Sequence, residues 1–154
     1  MMMSTLIIGV GNEFRGDDGV GIVIARRLRA EAPAHVTILE ASGEGAALME
    51  TWKGAPRVIL IDATRSGSPP GTIHRLDAHA GPLPSQFFHY STHAFSVAEA
   101  VEMARALGQL PPQLIVYGIE GKIYTAGEGL SPEVVKAADS VIGPLLHDAG
   151  DSAD

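Results

Sequence analysis

The sequence predicts an α/β fold: a three-layer sandwich with a central five-stranded, mostly parallel, twisted sheet, one antiparallel strand, and helices on both faces. Three observations carry this. Strand-like segments at about 5–10, 35–40, 57–62, 72–76 and 113–118 alternate with stretches of helical periodicity. The first, third and fifth are nearly continuous apolar runs, the mark of strands covered on both faces. Only nine residues, Gly67, Pro69, Pro70 and Gly71 among them, separate 57–62 from 72–76. That is too short for a crossover helix, so these two strands are expected to be antiparallel, with the second near an edge.

Each element has its own warrant. The first strand holds Leu6-Ile7-Ile8 and runs into a glycine-rich segment from Gly9 to Gly21. A helix over about 18–30 places Val20, Ile24 and Leu28 on one face and turns Arg26, Arg27 and Arg29 outward. A shorter helix near 44–53 is expected to bury Leu48, Met49 and Trp52, and a third, about 93–107, to bury Val97, Val101 and Ala104. The last carries Val134, Ala138, Val141, Ile142 and Leu145 after Ser131-Pro132, a capping residue followed by proline at the first helical position. These elements make one domain over 1–146, and the polar residues 147–154 are expected to be a disordered tail.

Composition narrows the function. The chain has 154 residues, enough for one domain with a sizeable core. No segment reaches the about 18 consecutive apolar residues of a membrane span, and Met1-Met2-Met3-Ser4 lacks a secretory pattern, so a cytoplasmic location is expected. The absence of cysteine excludes disulfides, a thiolate nucleophile and every cysteine-held metal site. A formal charge of −7 argues against a nucleic-acid partner, which needs a basic face.

Three residues stand where elements change. Asp18 lies in the loop after the first strand, Asp62 ends the third apolar run, and His93 opens the helix-like stretch after Thr92. Ligands of open α/β sheets sit outside the carboxyl ends of the strands. If the three converge there, they form an oxygen/nitrogen metal site with open positions. Each also has a structural reading. Asp17 can cap the following helix while both acids complement its dipole, Asp62 can start a turn, and His93 can sit on a solvated helix end. Gly19 and Gly21 each weaken a helix by about 1 kcal/mol relative to alanine, a sacrifice that fits a backbone something must approach closely. Arg65 could pair with Asp62 and keep it anionic. His89 precedes His93 by four residues but is expected outside the helix, and His35, His74, His79 and His147 have no chemical context. A dinucleotide site fails on detail, because Phe14 holds the third glycine position and Asp17 and Asp18 oppose a pyrophosphate. No nucleophile elbow and no His-Glu-x-x-His motif is present.

An ordered set of motifs resembles the [NiFe]-hydrogenase maturation endopeptidases over nearly the whole chain. It comprises Ile8-Gly9-Val10-Gly11-Asn12, Asp17-Asp18-Gly19-Val20-Gly21, Gly45 with Leu48, Asp62-Ala63 followed by Pro70-Gly71-Thr72, Ser91-Thr92-His93, Tyr117-Gly118-Ile119-Glu120, and Gly129-Leu130-Ser131-Pro132-Glu133-Val134. The resemblance implies an aspartyl-type endopeptidase that removes a short carboxy-terminal extension from the nickel-loaded hydrogenase large-subunit precursor. It also implies that Asp18, Asp62 and His93 contact that nickel, which the substrate presents, so that the free protein binds metal weakly or not at all. Some members have glutamate at the Asp18 position and proline where this chain has Gly121, which bears on the identity of the partner more than on the reaction. Phe87, Phe88 and Tyr90 are candidates for docking that partner, or for covering the core beneath their loop. Two other readings compete: a non-hydrolytic nickel-sensing checkpoint for the large subunit, and a peptidyl-tRNA hydrolase, which shares the opening Gly-x-Gly-Asn but suits an acidic chain poorly.

Overall fold

The five predicted strands form one sheet in the computed structural model, which describes residues 3–84, 87 and 95–150. Strands β1 (Thr5–Val10), β2 (Val36–Ala41), β3 (Arg57–Thr64), β4 (Ile73–Asp77) and β5 (Gln113–Glu120) lie in the order β2-β1-β3-β5-β4. All pairings are parallel except β4 with β5. The helices are α1 (Val20–Arg29), α2 (Gly45–Trp52), α3 (Val97–Ala106) and α4 (Pro132–Asp148).

Period-two alternation sorts the apolar side chains into two cores. Ile7, Ile59, Ile61 and Ile119 pack with α1 and α4 through Ile24, Leu28, Val141 and Leu145. Leu6, Ile8, Val58, Leu60 and Val116 pack with α2 and α3 through Leu48, Trp52, Val97 and Val101. The sheet is therefore the middle layer of three. No helix among the described residues is long and apolar enough to cross a membrane.

Four details depart from the sequence reading. Strand β4 is antiparallel and at an edge, but it pairs with β5 and not with β3. The connection from Thr64 to Ile73 spans two strand spacings of about 4.8 Å each with chain to spare, which leaves room for β5 to insert. A 3-10 turn over Gly16–Gly19 precedes α1. Helix α3 begins at Val97, not near 93, because Ser96 and Glu99 form a capping box that fixes the start. Helix α4 runs two residues past 146: Asp148 accepts from Arg75 and Tyr117, and Ala149 is fully buried.

The chain leaves β1 toward β2 on one side and comes back to β3 on the other. The carboxyl ends of β1 and β3 thus flank a topological switch point, where such sheets leave a crevice.

Candidate active site

Asp62 and Asp18 reach the crevice from two elements. Alternation along β3 places Asp62 on the α2/α3 side, in line with Val58 and Leu60. It is 5% exposed, and its Oδ1 accepts the amide of Ala63 at 2.8 Å. The strand continues to Thr64, so Asp62 is a strand residue and does not start a turn. Arg65, expected beside it, lies over the ring of Tyr124 at 5.3 Å.

Asp18 is held by the loop that follows β1. The amide of Asn12 donates to Asp18 Oδ2 at 3.1 Å, and the Asp18 carbonyl lies 3.3 Å from the same nitrogen. This closure needs glycine at position 11, where φ is 145° and a Cβ would collide with the Asp18 carbonyl. Both aspartates line one cavity of about 500 Å³, with Asn12, Phe14, Ser42 and Val97 among its walls.

Two further carboxylates line this cavity, and both are engaged by arginine. Arg26 forms a fork on Glu13 at 2.8 and 3.0 Å and another on Glu40 at 3.2 and 3.1 Å; Arg29 also binds Glu40. The bonds from Arg26 hold the Glu13 carboxyl below its ordinary range, and those from Arg26 and Arg29 do the same for Glu40. Both glutamates are thus paired with arginine on the cavity wall.

Asp17, read as a helix cap, does something else. Neither the 3-10 turn nor α1 has a side-chain cap. Asp17 is fully buried and accepts four hydrogen bonds from one distant segment: Lys122 N at 2.8 Å, Ile123 N at 2.9 Å, Ser131 N at 2.7 Å and Ser131 Oγ at 2.7 Å. Burial opposes its ionisation, but the bonds from Ile123, Ser131 and Lys122 prevail and hold the carboxyl below its usual range. Ser131 stands at the N-cap of α4 as predicted, yet its hydroxyl goes to Asp17 and caps nothing.

Gly21 also has an internal explanation. A Cβ there would collide with the carbonyls of Ile61 and Val10, and one at Gly9 with the carbonyl of Gly21. What approaches Gly21 closely is the protein's own sheet, and what approaches Gly19 is the Asn12–Glu13 loop.

A third buried acid, after Asp17 and Asp62, was quoted in the sequence only within a motif and given no role of its own. Glu120, at the end of β5, accepts from Thr64 Oγ1 at 3.0 Å, Ser66 Oγ at 2.6 Å and the amides of Ser66 and Gly67. Burial raises its pKa, and these bonds outweigh burial to leave it lowered. His74 lies nearby, 3.3 Å from Ser66 Oγ. The serine donates to the carboxylate rather than to the histidine, so this Ser/His/acid group closes the loop after β3 and does not activate a nucleophile. A carboxylate terminating an apolar strand, three residues after the run Leu114 to Tyr117, was the available signal.

His93, the third predicted ligand, lies outside the described residues, as do His89, Phe88 and Tyr90. Among the described residues no three His, Asp or Glu side chains form a metal-holding group. Phe87 packs on the α2/α3 core and against the His74 ring at 4.9 Å between centroids, which favours its core reading over docking.

The sequence model of the hydrogenase maturation protease family matches residues 22–148. The chain belongs to that family. It is 32% identical over 147 residues to a protein of Methanocaldococcus jannaschii assigned as a hydrogenase maturation protease, covering 92% of this chain and 93% of the relative. An endopeptidase from Escherichia coli, solved in solution, superposes with a TM-score of 0.84 at 25% identity, over 98% of this chain and 94% of that one. The hydrogenase maturating endopeptidase HybD from E. coli gives 0.75 at 28% identity, over 94% and 88%. The α/β sandwich and the peptidase class read from the sequence are thereby those of the family.

Proposed function

We propose that this maturation protease removes a short carboxy-terminal extension from a hydrogenase large-subunit precursor that already carries nickel. Family membership supports the processing role. The observation that carries the residue assignment is the common cavity: Asp18, from the loop after β1, and Asp62, from β3, face one space at the switch point. On this reading His93 joins them, and the three contact the nickel held by the precursor.

The donor set fits that task. Two carboxylates and a neutral imidazole suit a borderline divalent ion, although zinc or copper would be accepted as readily in solution. Selectivity for nickel then comes from docking to a loaded partner. Substrate-borne nickel supplies Lewis acidity beside the scissile bond. The protease contributes position: its ligands fix the peptide bond relative to the cavity, which replaces a random encounter by a fixed geometry. Hydrolysis also needs a proton moved from water to the leaving amine. Of the described carboxylates lining the cavity, Glu13 and Glu40 are held at lowered pKa by arginine, and the reading assigns that transfer to Asp18 or Asp62.

Substitution tests the assignment. Asp62→Ala, His93→Ala and Asp18→Ala should each lower cleavage of nickel-loaded precursor by about 10²-fold or more, read by intact mass. Asp18→Glu, which keeps the carboxylate and adds one methylene, should retain most of it. Wild-type rates in any of the three alanine variants would remove that residue from the site.

A further inference from the structure

Asp17 is fully buried next to a cavity-lining residue and accepts four hydrogen bonds, yet the proposed chemistry does not use it. Its four donors all come from Lys122, Ile123 and Ser131. The surrounding backbone follows the same pattern. Asp17 N donates to Ile123 O at 2.7 Å, Gly16 N to Gly127 O at 2.8 Å, and Gly127 N to Phe14 O at 2.9 Å. Residues 14–17 and 122–131 are therefore joined by main-chain bonds, with one buried carboxylate at the centre.

Asp18 is the next residue, and its amide is tied back to the Arg15 carbonyl at 3.1 Å. A displacement of Asp17 must pass through a single peptide unit to Asp18. We propose that Asp17 is a positioning residue of this site: its carboxylate fastens the Asp18 loop to the segment 121–131 and so sets where the Asp18 carboxylate stands in the cavity. The inference rests on the assignment of Asp18 to the reaction. It also gives 121–131 a part in the site, since any partner that shifts this segment shifts Asp18 with it.

Asp17→Asn keeps the shape but turns one oxygen into an NH₂ group that faces N–H and O–H donors. In the folded variant, kcat for cleavage of nickel-loaded precursor should fall about 10- to 100-fold while KM changes less than about threefold. The amide resonance of Asn12, which reports the Asp18 carboxylate directly, should move. Wild-type kcat, or an Asn12 amide left in place, would overturn the proposal. If Asp17→Asn does not fold, Ser131→Ala is the second variant, because it removes one bond to Asp17 without removing a helix cap. It should lower kcat several-fold and shift the same Asn12 resonance, and no change in either would likewise overturn the proposal. If the wild-type protein cleaves nothing, the proposed function fails, and the Asn12 resonance still decides whether Asp17 positions Asp18.

Discussion

Asp17 and Asp18 are neighbours in the chain and serve different partners in the fold. Asp18 lines the cavity; Asp17 is spent on a segment 105 to 114 residues away. That Asp18 and Asp62 would reach one crevice was legible because each interrupts or follows an apolar strand at the sheet edge where such folds leave one. The role of Asp17 was not, because an acid in a first helical turn has a sufficient local reading as a cap and its true donors lie far along the sequence. With only three protein ligands proposed, the free protein should bind nickel weakly. Calorimetric titration of free protein with nickel checks this, and tight one-to-one binding would make the metal resident rather than delivered.

At the scale of elements, periodicity located the five strands and four α-helices of the described residues, and the failures were of boundaries and pairing. Helix α3 starts at Val97 because a Ser96–Glu99 capping box fixes its first turn. Pairing of β4 with β5 was hidden because a nine-residue link fixes direction but not the neighbour. Gly21 shows how packing decides a residue that propensity alone disfavours: the first turn of α1 sits so close to β1 and β3 that no Cβ fits. Gly21→Ala should therefore destabilise the fold by about 1–3 kcal/mol despite the better helix propensity of alanine. Urea unfolding measures it, and a stabilised variant would contradict the close approach.

For the whole molecule, buried acids make stability depend on pH at both ends. The carboxyl of Glu120 is held below its unfolded value of 4.5 and that of Asp148 below 3.8, burial being outweighed by their hydrogen bonds. Their contribution is fully present above about pH 5 and is lost as pH falls through the folded values. Tyr117 has the opposite sign. Burial, then its bond to Asp148, pushes the phenol from 10.0 up to about 12. Its contribution is present below pH 10 and lost as pH rises toward 12. Tyr117→Phe should lose about 1 kcal/mol at neutral pH and flatten the alkaline limb of a urea-unfolding series. An unchanged limb would assign it to other groups. The same acidic molecule is proposed to act only on a loaded partner, and that gating is the central claim. The most direct test is the intact mass of the large-subunit precursor, with and without nickel, after incubation with this protein. Loss of a short carboxy-terminal peptide from the loaded form alone is the predicted result. Equal cleavage of both forms would contradict nickel gating, and complex formation with no change of mass would make the protein a checkpoint rather than a protease.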